Sequence, residues 1–318
     1  MAASEQSPIL VTGAGGFVGN WLIPELRDSG HAVVALCKPD VPHAEADAHW
    51  IDVDLRDRDS VSQVIKQVRP AAVLHLAAIA VPREASRDPE EALRVNFAAV
   101  DHLIHAICTH APDARLLYVS SGEVYGRQSA DLAPLRETEP LAPENLYAAT
   151  KAAAEQLVVL ACERSGLDAV RARPFNHSGP GRPSDYAEST FARQVAELER
   201  SSGDRVVRVG NLDAQRDYSD VRDVVRAYRL LIERGERGAV YNVCSGHGRS
   251  IRSVLEHLLS RARRPLEIEV DPARFEPADP QRIALVGNPA AIRALGWEPT
   301  YSFESTLDAL LEDWRGRM

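Results

Sequence analysis

An α/β fold, a doubly wound parallel sheet with a smaller carboxyl-terminal α/β lobe, is what this sequence predicts, and three observations predict it. Short apolar runs alternate with amphipathic segments through the first 173 residues. That is the pattern of a parallel sheet covered by helices on both faces. The first apolar run leads directly into a glycine-spaced turn and then into a helical segment. Past Arg173 the texture changes, because 174–185 is rich in Pro, Gly and Ser and the later apolar runs are less regular. These features divide the chain into a unit over 1–173 and a smaller lobe over 174–318, some of whose segments return to the first unit.

The elements follow in order. Residues 7–11 (SPILV) read as a short buried strand, and Gly13, Gly16 and Gly19 then follow the spacing G-x-x-G-x-x-G. A helix is expected from Phe17 to about Ser29, stopped by Gly30. Strand, glycine turn and helix together form a dinucleotide-binding, Rossmann-type opening. The tight turn and close backbone approach need residues without Cβ, and the helix N-terminus offers free N–H groups to a pyrophosphate. Phe17 and Val18 lie within this turn. Strands are expected over 31–36, 49–53, 71–76, 115–120 and 168–173, with helices over 60–68, 88–110 and 145–165. Asp88-Pro89 suits the N-cap and first turn of the long helix.

Composition sets the bounds. The chain has 318 residues, 45% of them hydrophobic, and a net charge of −9. It is long enough for a large core and is globular. The negative balance argues against a nucleic-acid partner or an anionic membrane surface. Its longest apolar run is too short to span a bilayer, and its first residues lack the pattern of a signal peptide. Four widely spaced cysteines with no C-x-x-C pair suggest reduced thiols and a cytoplasmic protein. His102, His105, Cys108 and His110 crowd one helix, but no second cluster completes a site, so no metal is expected.

Lysine usage marks the chemistry. The chain has three lysines against 34 arginines, and one of them, Lys151, follows Tyr147 by four residues. On a helix both heads share a face. A nearby ammonium is expected to lower the tyrosine pKa, giving a general acid/base usable near neutrality. Ser121 stands at the carboxyl end of the fifth strand. Ser121, Tyr147 and Lys151 together form a set for hydride transfer, with Glu123 close by in sequence.

These motifs resemble the extended short-chain dehydrogenase/reductase superfamily, in its sugar-nucleotide-modifying branch, along almost the whole chain. Asp54 and Leu55 after strand three resemble that branch's adenine contact, and His75-Leu76-Ala77-Ala78 resembles its cofactor-lining turn. Three later stretches, RPFNHSGPG from Arg173, VGNLDAQRD from Val209 and YNVCSG from Tyr241, resemble the pair formed by GDP-mannose 4,6-dehydratases and GDP-4-keto-6-deoxy-mannose reductases. The closer likeness is to the reductases. A dehydratase needs a base at sugar C5 and an acid at the C6 hydroxyl. Here Gly122, which carries no proton, follows Ser121, and only Glu123 of that machinery remains. The resemblance therefore implies reduction of the C4 ketone of a nucleotide-linked 4-keto-6-deoxyhexose. The alternatives are a 4,6-dehydratase or an epimerase.

The resemblance also implies partners. Strand two ends without a carboxylate for a ribose 2′-hydroxyl and continues into Lys38, which favours NADP(H) and leaves NAD(H) open. Substrate contacts are expected from Ser121, Glu123, Asn176, Asn211, Arg216 and Asp279, with Arg216 on the diphosphate of a GDP-linked sugar. Glu276 stands where the family more often has arginine. Family members pair through two helices each, so a homodimer through 88–110 and 145–165 is expected.

Overall fold

The structure is a computed structural model that describes residues 7–39, 41, 43, 48–127, 133–201, 203, 205–271 and 284–318. Its first half runs β1 (Ile9–Thr12), α1 (Phe17–Asp28), β2 (Val33–Cys37), β3 (His49–Asp52), α2 (Arg58–Val68) and β4 (Ala72–His75). Two short helices follow, α3 (Pro82–Arg87) and α4 (Pro89–Leu93). A π-helical turn (Arg94–Ala98) then leads into α5 (Ala99–His110), β5 (Arg115–Val119), a 3-10 turn (Gly122–Tyr125), α6 (Leu146–Arg164) and β6 (Ala169–Pro174).

The second half runs β7 (Asn176–Ser178), α7 (Ala187–Arg200), β8 (Val206–Val209), β9 (Gln215–Asp220), α8 (Val221–Arg234) and β10 (Val240–Val243). It finishes with β11 (Gly248–Ser250), α9 (Ile251–Ser260), β12 (Glu267–Val270), β13 (Ala284–Leu285), α10 (Ala290–Ala294) and α11 (Phe303–Arg317).

The main sheet has seven parallel strands in the order β3-β2-β1-β4-β5-β6-β10. Strand order reverses between β1 and β4, the switch point where ligands enter open α/β sheets. One face packs on α1 and α8 through Leu22, Leu26, Val224 and Leu231. The other packs on α2, α5 and α6 through Ile65, Ile107 and Val158. Both faces are covered, which is why β1, β2 and β4 are buried along their whole length. A separate core under α7, α9 and α11 holds Phe191, Leu255 and Leu310. Near it β9 pairs with β7, β11 and β13, and β8 pairs with β12.

The expected strands and helices lie within a few residues of the observed ones, with one difference of substance. The single helix expected over 88–110 is broken by the π turn. Asp88 does cap its start, accepting from the Glu91 N–H at 3.0 Å, and Pro89 holds the first turn. The wide turn presents Asn96, whose side chain accepts from Ile79 N–H at 2.8 Å and donates to the Thr150 hydroxyl at 3.0 Å. A regular helix gives way there to a buried polar side chain that ties the loop after β4 to α6.

Candidate active site

A cavity of about 670 Å³ opens at the carboxyl ends of β1, β2, β4 and β5 and extends under the loop after β6. At its first end lies the glycine turn. Gly13 has φ +66°, and a Cβ there would come within 2.7 Å of the Ala77 nitrogen. Gly19 packs so closely that a Cβ would meet the Ala14 carbonyl oxygen at 2.2 Å. Gly16 caps α1 with no side-chain bond, so the first turn of that helix keeps N–H groups for a ligand. The Thr12 hydroxyl accepts from Ala77 N–H at 3.3 Å and pairs with His75 Nδ1 at 2.9 Å, which ties the turn after β4 to the end of β1. This backbone cradle fits a dinucleotide pyrophosphate.

Lining this end are Gly13, Gly16, Phe17, Val18, Gly19, Lys38, Asp54, Leu55, Leu76, Ala77 and Ala78, which with Tyr147 and Lys151 further along the cavity make up the set expected from sequence for a cofactor. Cys37, where a ribose-binding carboxylate would stand, also lines the cavity. Asp54 is forked to Arg56 at 2.5–3.0 Å, which holds its carboxyl down at about 2, and Arg56 reaches on to Glu91 at 2.6 Å.

Ser121, Glu123, Tyr147 and Lys151 line the same cavity. Ser121 follows β5 and caps the 3-10 turn, its oxygen accepting from Glu123 N–H at 3.2 Å. Tyr147 and Lys151 sit on α6, whose start is capped by Asn145. Electrostatics depart from the sequence expectation here. Burial pushes the Tyr147 phenol up and the Glu123 charge pushes it further, while a hydrogen bond with Ser121 and the Arg182 charge pull the other way. The ammonium of Lys151 is itself weakened: it is 2% exposed, burial pushes it down to about 7, and its Nζ lies 4.6 Å from the centre of the Tyr118 ring. A lysine this poorly solvated is a weak source of positive charge, so desolvation decides the tyrosine's state.

Among the expected substrate residues, Asn176 lines the cavity from β7. Asn211 and Arg216 are not among its lining residues. Asn211 is an exposed turn residue whose Oδ1 accepts from Asp213 N–H at 2.9 Å, and Arg216 on β9 bonds the Gln215 carbonyl at 2.9 Å. Asp279 and Glu276 lie outside the described residues. Within the long motifs that begin at Arg173 and Tyr241, Arg173 and Asn242 act as scaffold. Buried Arg173 grips Glu155 of α6 at 2.7 Å and the Tyr125 hydroxyl at 2.7 Å, and that hydroxyl donates to Asn242 at 2.8 Å.

Sequence reasoning missed His177, Arg182 and Tyr186, which line the same cavity. The Arg182 guanidinium is 3.4 Å from the centre of the Tyr186 ring and 5.1 Å from that of Phe17, and its Nε bonds buried Glu188 at 3.3 Å. His177 is pushed down to about 3 by burial and then by Arg182, so it is neutral. The available signal was an arginine inside the Gly-Pro-Gly-Arg-Pro loop. Among the described residues no cluster of three metal-ligating side chains occurs, and His102 and His110 pair with the Leu55 carbonyl and the Ser62 hydroxyl.

Known proteins resemble this chain along nearly its whole length. GDP-6-deoxy-D-mannose reductase of Pseudomonas aeruginosa is 37% identical over 311 residues, covering 98% of each chain. Among solved structures, RMD from the same organism complexed with NADPH has a TM-score of 0.86 at 35% identity, covering 98% of this chain and 100% of that one. Thermus thermophilus UDP-glucose 4-epimerase in complex with NAD has a TM-score of 0.87 at 27% identity, with 98% and 100% covered. The profile of the GDP-mannose 4,6 dehydratase family matches residues 10–310, nearly the whole of the cavity-bearing fold, and the chain belongs to that family, within the short-chain dehydrogenase/reductase enzymes.

Proposed function

We propose that this enzyme reduces the C4 ketone of a nucleotide-linked 4-keto-6-deoxyhexose, most simply GDP-4-keto-6-deoxy-D-mannose to GDP-D-rhamnose. The observation that carries the reading is the convergence of Ser121, Tyr147 and Lys151 on the cavity that begins at the glycine turn. The full-length likeness to a GDP-6-deoxy-D-mannose reductase supports the substrate class. NADPH, when bound, supplies the hydride. Gly13, Gly16 and the start of α1 would hold its pyrophosphate, and Lys38 would meet a 2′-phosphate. The absence of a carboxylate at Cys37 and the NADPH complex of one neighbour favour NADP(H), while the NAD complex of the other keeps NAD(H) open.

The chain's own residues handle the proton. Tyr147, kept protonated by burial, donates to the developing alkoxide at O4. The Ser121 hydroxyl accepts from its own turn and bonds the Tyr147 phenol, which places it to turn its proton to the same substrate oxygen. Lys151 would hold the cofactor's ribose, and Asn176 with Glu123 would hold the hexose.

A 4,6-dehydratase is the second reading, because Glu123 faces the cavity close enough to act on the Tyr147 phenol. A paired assay separates them. Oxidation of NADPH only with GDP-4-keto-6-deoxy-mannose supports the reductase. Keto-sugar formed from GDP-mannose alone overturns it in favour of elimination with Glu123 as base. Running the first reaction with NADH settles the cofactor.

The remaining assignments belong to the same reading. A second copy would pair through 88–110 and 145–165, where Leu93 and Leu160 are 48% and 43% exposed. The four cysteines are unpaired, and no helix among the described residues is long and apolar enough to cross a membrane. Both observations support a cytoplasmic setting. Residues 174–318 would supply most of the sugar-nucleotide lobe.

A further inference from the structure

Asn145 stands one residue before α6, and both ends of its amide are engaged. Its Oδ1 accepts from the Ala148 N–H at 2.9 Å, which caps the helix carrying Tyr147 and Lys151. Its Nδ2 donates to Oε2 of Glu123 at 2.8 Å. Glu123 comes from a different element, the single turn after β5, and lines the cavity.

The main chain at Glu123 is already fixed. Ser121 caps the turn through the Glu123 N–H. Gly122 lies against Phe175, where a Cβ would come within 3.0 Å of the ring. Only the side-chain torsions of Glu123 stay free, and the bond from Asn145 removes that freedom. A carboxylate held by one oxygen presents the other to the cavity.

Capping alone does not call for asparagine. Ser and Asp cap about equally well, but an Asp would face Glu123 with a second carboxylate, and a Ser, one bond shorter, would have to hold the cap and reach Glu123 with the same atom. Among the strong caps, Asn alone pairs an accepting oxygen with an amide donor.

Building on the reductase reading, we propose that Asn145 is a positioning residue: it locks Glu123 so that the free carboxylate oxygen accepts a hydroxyl of the hexose and fixes the sugar against Tyr147 and Ser121. One side chain then couples the start of the catalytic helix to the grip on the substrate. The effect of the Glu123 charge on the Tyr147 phenol supports their closeness. Arg182 and Tyr186 line the same cavity and act on the same phenol.

A double-mutant cycle tests this. Asn145→Ser keeps the cap and loses the amide, Glu123→Ala removes the carboxylate, and the double variant removes both. KM and kcat for GDP-4-keto-6-deoxy-mannose with NADPH are measured, along with the NADPH Kd by fluorescence and the thermal midpoint. In the parent enzyme Asn145→Ser is expected to raise KM about tenfold, the size of a lost hydrogen bond to a charged group. In the Glu123→Ala background it should change KM by less than about twofold, because nothing remains for the amide to hold. The NADPH Kd should not move. An equal KM increase in both backgrounds, or none in the parent, overturns the proposal. If the parent enzyme fails to oxidise NADPH, the reductase reading falls by itself. The same cycle is then read on GDP-mannose binding by calorimetry, where non-additivity supports the positioning role and additivity rejects it.

Discussion

The two ends of the cavity are built by different means. At the glycine end the ligand-facing groups are set by main-chain geometry: strand ends, a left-handed Gly13, the Gly19–Ala14 contact and the open first turn of α1. At the sugar end they are side chains gathered from separate parts of the chain. Glu123 comes from a turn after β5, Asn176 from β7, and Arg182 and Tyr186 from the loop beyond it. The first kind of site tolerates little change in backbone and no Cβ at Gly13 or Gly19, but more change in the side chains around them. The second kind is the reverse. Relatives with a common fold can therefore share a dinucleotide and differ in sugar.

Substitutions can break or sharpen this contrast. Tyr147→Phe should have the largest effect, a fall in kcat of about 10²- to 10⁴-fold with NADPH affinity nearly intact, because only the transferable proton is lost. A variant with full activity would remove Tyr147 from the mechanism. Gly13→Val should weaken NADPH binding by more than about tenfold, since the left-handed φ and the 2.7 Å approach to Ala77 both oppose a side chain. Fluorescence titration reads this directly, and unchanged affinity would mean the cradle is not the pyrophosphate site. Lys38→Ala should reduce the preference for NADPH over NADH about tenfold, measured as the ratio of the two kcat/KM values.

The pH profile probes the border between the two ends. The Glu123 charge raises the Tyr147 phenol. Glu123→Gln therefore lowers it, and because reduction needs the phenol protonated, the alkaline limb of kcat should move to lower pH. A limb that stays fixed or rises would show that Glu123 does not act on Tyr147. Arg216→Ala should have the smallest effect, less than about twofold in KM for the nucleotide sugar. A large loss would place Arg216 in the binding path after all.

The same contrast explains what could be read from the sequence. The sheet, its helices and the glycine turn were legible because apolar periodicity and positive-φ positions leave a direct mark on residue type. Tyr147 and Lys151 were legible because four residues on a helix fix a shared face. Their electrostatics were not, since burial is a property of the packed fold and here it outweighs the lysine's charge. Asn211 and Arg216 were expected from their place in a family-like motif, yet a turn bond and strand placement set them outside the cavity lining. Arg182 and Tyr186 were overlooked because a Pro-Gly-Ser-rich loop carries no period. The π turn was equally hidden, because its cause is the pair of bonds that Asn96 makes to residues distant in sequence.

The late return of the chain to the first sheet has a consequence for inheritance. Strand β10 extends the sheet beside β6, and Tyr228, Leu231, Tyr241, Ile292 and Trp297 complete the core under β1 and α1. Cutting the chain at Arg173 would strip that face bare. Recombination cannot trade the carboxyl-terminal half between relatives as a cassette, because that half carries part of the first half's foundation. New specificities in such a lineage arise one side chain at a time, around the rim of a cavity whose floor is held in common.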